Sequence, residues 1–297
     1  MLLTQLEYFV ALAREKHFGH AAAACFVSPS ALSEAIRKLE TELGVPLVTR
    51  GRNFEGLTTE GQQALIWAQK MVANQHSMLT ELSAARGNLT ARIRVGAIPA
   101  GGALAASVLS QLGRQQHSVT ATLSTGLSSE QIMAKLRRFE LEAGVILPSA
   151  ADGPDILAVA ISEISHVVVA PHGVFPAETK YVTGSMLRDV PLALLSPAMR
   201  ARQQLDLRFA EHGIELRPRF DVDSVEALLN LVAQGPWVTV IPESAITKHP
   251  PQANIRVLPL TEPHVAISLA VVRLAQKPVS AISRALDSAI GSVLPAT

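Results

Sequence analysis

The segment from Ser28 to Gly44 constrains this chain more than any other stretch. It opens with Pro29, which suits the first turn of a helix because that position needs no intrahelical donor. Ser28 precedes it as an N-cap, and Gly44 follows the last periodic residue, where a left-handed conformation is expected. Between these stops Leu32, Ile36, Leu39 and Leu43 recur at helical spacing and form one apolar stripe. The opposite face carries Ser30, Glu34, Arg37, Lys38 and Thr41, with Ser33 at its edge. A short helix with one buried stripe and one face of compact polar and basic groups fits a DNA major groove. A solvated surface helix has the same pattern, so the flanking segments decide between the two.

Upstream, Gly19–Val27 is a run of very small residues ending in a turn, and small side chains let two helices cross closely and steeply. Downstream, residues 46–58 read as a strand, a Gly-rich turn with Arg50 and Arg52, and a return strand. That is a β-wing placed to touch phosphates. Thr4 and Glu7 form a capping box opening a first helix over 4–14, with Leu6, Phe9, Val10 and Ala13 as its buried stripe. Residues 1–58 are therefore a winged helix-turn-helix domain. Charge balance does not carry this reading, because the six basic and six acidic side chains of residues 1–58 cancel and the whole chain is +1. The position of the charges carries it instead.

Thr59 and Gln62 form a second capping box, which starts a longer helix over 59–86 within a linker of residues 59–89. Leu65, Ala68, Val72, Gln75, Leu79 and Leu82 make a heptad seam along it. Two burials are open to this seam: a second copy of the chain, giving a dimer or tetramer, or the winged domain itself.

From residue 90 onward strands and helices alternate. Strands at 93–98, 119–124 and 143–147, with helices at 102–115 and 128–139, make a βαβαβ unit and predict a parallel sheet. A second unit has strands near 167–170, 191–195, 220–223 and 237–241 and helices at 197–213 and 225–234. A strand at 265–272 and a helix at 278–293 close the chain. The fold class is therefore α/β, with a winged helix-turn-helix, a linker helix and a two-lobed effector domain like the periplasmic binding proteins. The first lobe spans about 90–161 and 266–297, and the second about 162–265.

The chain resembles the LysR-type transcriptional regulators. The resemblance rests on residues 6–13, 17–22, 27–40 and 43–47, Arg50 and residues 57–61, with weaker pieces at 93–96, 222–229 and 240–244. It implies a DNA-binding activator or repressor, often a dimer of dimers, whose DNA geometry shifts when a small molecule enters the cleft between lobes. Two departures from the family pattern stand out. Pro29 replaces the usual glutamine and Glu34 a usual basic or amide residue, so Glu34 is placed to accept from a cytosine amino group. The turn Pro99-Ala100-Gly101-Gly102 lacks the usual Ser or Thr, leaving backbone N–H groups to bind.

The expected DNA-binding residues are Ser28, Pro29, Ser30, Ser33, Glu34, Arg37, Lys38, Arg50 and Arg52. The basic ones go to phosphates, and Ser30, Ser33 and Glu34 to base edges. The expected effector site is Pro99, Ala100, Gly101, Gly102, Ser128, Ser129, Ser196 and Arg202, where helix N-termini and added charge suit an anion. Ser128 and Ser129 also fit plain N-capping, and Arg200 and Arg202 also fit an outer helix face.

No catalytic residue, metal site or cofactor is expected. Neither a nucleophile elbow, a phosphate loop nor a zinc motif is present. The histidines show no ligand spacing, and the single Cys25 excludes an internal disulfide. With no secretory signal and no apolar run of membrane length, the expected setting is cytoplasmic and away from membranes. The expected partners are double-stranded DNA, a small-molecule effector and further copies of the chain. The other reading, a solute-binding protein without regulatory role, leaves residues 1–58 without a purpose.

Overall fold

The computed structural model describes residues 1–50, 54–248 and 254–294. The backbone falls into two compact units. The first holds residues 1–91 with the short stretches 135–140 and 277–284, and the second holds the remainder.

The first unit begins with α1 (Leu3–Glu15), α2 (Phe18–Ala24) and α3 (Pro29–Leu43). Thr4 does not cap α1 as the sequence predicts. Gln5 reaches back to accept from the Leu2 N–H at 2.6 Å, which carries the helix start upstream. Its buried stripe is Leu6, Phe9, Ala11 and Leu12, whereas Val10 and Ala13 are half-buried. His17 caps α2 through Nδ1, which accepts from Gly19 and His20. On α3 the expected stops are in place. Ser28 accepts from the Ala31 N–H at 3.2 Å, Pro29 is the first helical residue, and Gly44 has φ +73°. Leu32, Ile36 and Leu39 are buried against α1 and α2, but Leu43 is exposed, because the last turn projects past the core.

The wing pairs β1 (Val48–Arg50) antiparallel with β2 (Phe54–Leu57). Glu40 of α3 holds it by accepting from the Leu47 and Val48 N–H groups at 2.9 and 3.1 Å. Then comes α4 (Thr59–Ala85), whose 27 residues extend about 40 Å. Its N-cap is Thr58, one residue before the predicted box. That hydroxyl accepts from the Gly61 N–H and donates to the Pro46 carbonyl, a second bond that fixes the register. Gly61 is required there, since a Cβ would sit 2.0 Å from the Leu47 carbonyl oxygen. The seam divides. Leu65, Ala68 and Val72 belong to the winged core, while Leu79 and Leu82 are exposed. Ile66, Trp67, Met71 and Met78, which the heptad pattern leaves out, are exposed as well.

The elements lying wholly or mostly in the second unit are β3 (Ala91–Ala97), α5 (Gly102–Gln115), β4 (Val119–Ser124), α6 (Ser129–Arg137), β5 (Ala143–Ile146), β6 (Ile156–Pro171), β7 (Val182–Thr183), β8 (Ala193–Leu195), α7 (Arg200–Glu211), β9 (Phe220–Val222), α8 (Val225–Gln234), β10 (Thr239–Pro242), α9 (Glu243–Lys248), β11 (Ile255–Glu262), β12 (Ala266–Leu274) and α10 (Ala281–Val293). The main sheet runs β4-β3-β5-β12-β6-β11-β7, with β10 also on β6. Strand β6 is the spine. Its first part pairs with β12, and its last part, from His166, pairs with β10 and β11. It thus passes from one lobe, with β3–β5, β12, α5 and α6, into a second lobe with β7–β11 and α7–α9.

The sheet is mixed rather than parallel. β3 and β5 run parallel as expected, but β12 lies antiparallel to both β5 and β6. The sequence reading places only the end of β6 and misses β7 and β11. The first part of β6 lacks a clean alternation, and Pro259 with its neighbouring prolines disguises β11. Pro259 is tolerated late in the ladder, opposite Val167. The second lobe packs around buried Val168, Leu194, Phe209 and Val240 on one side of the sheet and Val169, Leu228, Val232 and Ile241 on the other.

Candidate functional site

On α3 the polar face is open to solvent. Ser28, Pro29, Ser30, Glu34, Arg37 and Lys38 are exposed and Ser33 is half-buried. Ser28 and Ser30 hydroxyls lie 3.0 Å apart. Glu34 and Lys38 sit one turn apart at 3.9 Å, a loose pair that water weakens and a phosphate easily outcompetes. Arg37 lies beside them on the same exposed surface. Arg50 closes β1, and its side chain lies outside the described residues, as does all of Arg52. The buried stripe of α3 fixes which side faces out, so the exposed set comes from one amphipathic pattern.

The second unit contains a cavity of about 630 Å³, a volume suited to a small molecule. Its walls come from both lobes: the turn after β3, the start of α6 and the end of β5 on one side, the starts of α7, α8 and α9 on the other. Of the expected effector residues, Pro99, Ala100, Ser128 and Ser129 line it. Gly101 and Gly102 are buried behind the wall. Ser196 is held back, its N–H donating to Val222 and its hydroxyl accepting from Ala198.

Arg202 is off the wall too. It is buried, donating to Asp206, Asp221 and the Leu195 carbonyl at 2.7–2.8 Å. Burial acts to lower its pKa, but the two carboxylates outweigh that and raise it, so the charge stays. Among the described residues, the cation on the wall is Arg200. Two residues apart on a helix point about 200° apart, so only one of the two can face the cavity.

Ser128 caps α6 reciprocally, its hydroxyl accepting from the Gln131 N–H and its own N–H donating to Gln131 Oε1. Ser129 is buried and accepts from the Leu147 N–H at 3.2 Å, which pins α6 to the end of β5. Both hydroxyls are therefore engaged. The sequence reading missed Glu130, Asp223 and Glu226 on the walls. Their acidity at helix starts is ordinary dipole compensation and carries no separate signal. Partial burial acts to raise the Glu130 pKa, yet hydrogen bonds from its own backbone, from Ser128 and from Arg200 lower it overall.

Where the chain passes between the lobes, His166 is buried, its backbone N–H donates to Val265 and its Nδ1 has no hydrogen-bond partner among the described residues. Burial, aided by the charge of His264, pushes its pKa down to about 4 against the smaller lift from Val265. His264 lies 3.3 Å from the Ser165 hydroxyl.

A winged helix-turn-helix followed by a long helix and a two-lobed α/β unit around a cavity defines a DNA-binding transcription regulator with an effector-binding domain. The chain belongs to the LysR family: residues 3–62 match the "Bacterial regulatory helix-turn-helix protein, lysR family" and residues 86–293 the "LysR substrate binding domain".

Among curated relatives, it is 28% identical to the Escherichia coli "DNA-binding transcriptional dual regulator OxyR", over 92% of this chain and 89% of that one. It is also 28% identical to the "HTH-type transcriptional activator IlvY" of Salmonella typhimurium, over 87% and 88%. Full-length OxyR from Pseudomonas aeruginosa, in a cysteine-to-aspartate variant, superposes with a TM-score of 0.79 at 29% identity, covering 99% and 96%. CbnR complexed with its target DNA shares the fold, at TM-score 0.66 and 21% identity, covering 99% and 100%. Among the described residues no helix is long and apolar enough to cross a membrane.

Proposed function

We propose that this regulator acts in the cytoplasm, without enzymatic activity, and senses a small molecule bearing an acid group in the cavity between its lobes. The observation that supports this most is Arg200, the cation on the cavity wall, beside the start of α7, whose N-cap Met199 offers no side-chain oxygen. An acid group there meets a guanidinium and a positive helix end together. The domains run 1–58, 59–89 and 90–297. On the DNA side, Arg37, Lys38, Arg50 and Arg52 grip phosphates, while Ser30, Ser33 and Glu34 read base edges.

A Haemophilus influenzae relative, 26% identical over 92% of this chain and 90% of its own, is named "Hydrogen peroxide-inducible genes activator", and the input proposed here is a different one. Cys25 is the chain's single cysteine, so the second unit has no thiol to oxidise. Burial first, with Glu7 and Glu15 adding to it against Arg14, pushes the Cys25 thiol up, which leaves it a poor nucleophile.

Self-association runs through α4. Trp67, Met71, Met78 and Leu82 step by 4, 7 and 4 along its exposed side, a strip that a second copy covers.

The test is a thermal-shift screen of the full-length protein against small carboxylic acids, followed by gel shifts on a duplex selected from a random pool. The expected result is an acid that raises Tm and alters the gel shift; no shift with any acid refutes the reading.

A further inference from the structure

Arg200 does more than line the cavity. It stands on α7, in the second lobe, yet its bonds go to the first. Nε meets Glu130 Oε1 at 2.6 Å, and Nη1 donates to the Leu147 carbonyl at 2.9 Å and toward Asp152 Oδ1 at 3.4 Å. The two ends of this clasp differ. Asp152 is buried and fixed, its other oxygen accepting from the Ser149 N–H at 2.7 Å. Glu130 is exposed on 58% of its side chain, so its bonds to Arg200, to Ser128 and to its own backbone all compete with water. One side of the guanidinium is thus anchored, and the other is held by an exchangeable carboxylate that faces the cavity.

We propose that Arg200 is a latch between the lobes, and that the effector works it by putting its own acid group where Glu130 now sits. The proposal rests on the reading of the cavity as the effector site. Exchanging one carboxylate for another leaves the guanidinium neutralised, so no buried charge is stranded during the swap. The anchored bonds to Leu147 and Asp152 persist, and Glu130 swings into water. The direct bond between α6 and α7 is then replaced by one from Arg200 to the ligand, while the anchored bonds keep the lobes clasped.

The walls also limit the rest of the molecule. Besides Glu130, the cavity presents Asp223 and Glu226, which pair with no cation among the described residues. A second negative group on the ligand meets these carboxylates unscreened by any other wall cation, a like-charge cost. Ile98, Leu127, Leu147, Leu195 and Val225 supply apolar surface. The ligand class is therefore a monoacid with an apolar or amine-bearing body, and dicarboxylates and phosphate esters are excluded.

The experiment titrates the full-length protein with butyrate, hexanoate, benzoate and leucine, and with succinate and glutarate, by calorimetry. Glu130→Gln and Arg200→Lys are run beside the wild type. At least one monoacid binds and neither diacid does. Glu130→Gln removes the competitor and tightens monoacid binding about two- to fivefold, the factor an exposed pair is worth. Arg200→Lys keeps the charge, loses the fork and weakens binding about tenfold. Unchanged affinity in Glu130→Gln overturns the exchange while leaving the cavity reading intact. Tighter binding of a diacid overturns the ligand class. No binding of any probe to either the wild type or Glu130→Gln overturns both the latch and the reading it rests on. Glu130 is exposed, so its variant folds even if an Arg200 variant does not.

Discussion

Helix α3 and the cavity helix α7 both carry basic residues, and they hold them in opposite ways. On α3, Arg37 and Lys38 stand in solvent, with one loose pair to Glu34. On α7, Arg200 and Arg202 are bound to carboxylates and carbonyls before any partner arrives. Freely hydrated charge suits a polyanion that must be gripped and released, because association then breaks no internal structure. Engaged charge suits a response, because a ligand must displace something in order to bind. The contrast extends to the two units. Among the described residues, the first has an apolar core whose one buried polar side chain is Gln5, while the second buries Arg202, Arg273 and His166.

The largest effect that sharpens this contrast is acid sensitivity. His166 is held neutral when folded, with its pKa down at about 4, whereas an unfolded histidine titrates near 6.5. Its stabilising share is present above pH 6.5 and is lost as the pH falls toward 4, on the order of 3 kcal/mol in all. Urea titrations from pH 7 to 4 should show the second unit weakening first, and His166→Gln should flatten that dependence. Arg202→Ala comes next. It strands Asp206, Asp221 and the Leu195 carbonyl, and should cost about 2 kcal/mol in urea unfolding, discounted because both carboxylates are partly exposed.

Arg37→Ala breaks the pattern from the other side: Tm should stay within about 1 °C, since exposed substitutions are nearly neutral. DNA affinity should fall about tenfold, and the slope of log K against log salt should shrink by about 1. The smallest effect is Ser128→Ala. Losing a cap whose hydroxyl accepts from Gln131 should cost about 1 kcal/mol, visible in the Tm of the second unit and not in DNA binding. Should Arg37→Ala unfold the protein, or Arg202→Ala leave stability untouched, the division between free and engaged charge fails.

Most of the first unit was legible in the sequence because its signals are local. Ser28, Pro29 and Gly44 mark the ends of α3, and its stripe fixes which face is exposed. Errors there were shifts of one turn or less, as at Thr58, where the bond to Pro46 moved the cap. The cavity was half legible. Pro99, Ala100, Ser128 and Ser129 reach the cavity because each starts a helix after a strand, the position where α/β folds open their clefts. Arg200 and Arg202 were both candidates and Arg202 was the one chosen, because charge at a helix start does not say which side the helix buries; Arg200 is the one on the cavity wall. The α4 seam was also only half right, since a heptad pattern records apolar spacing and not which body covers it.

The sequence by itself determined the winged domain, the long helix, the alternating plan beyond residue 90 and the family. Each of these follows from patterns within about thirty residues, where the periodicity of side chains and the chemistry of caps suffice. Only the tertiary structure decided that β12 enters antiparallel beside β6, and that β6 serves both lobes. It alone turned Arg200 across the cavity and Arg202 into the wall. Those outcomes depend on pairings between residues a hundred positions apart, such as Ile156 with Leu274, and no local pattern encodes a partner that distant.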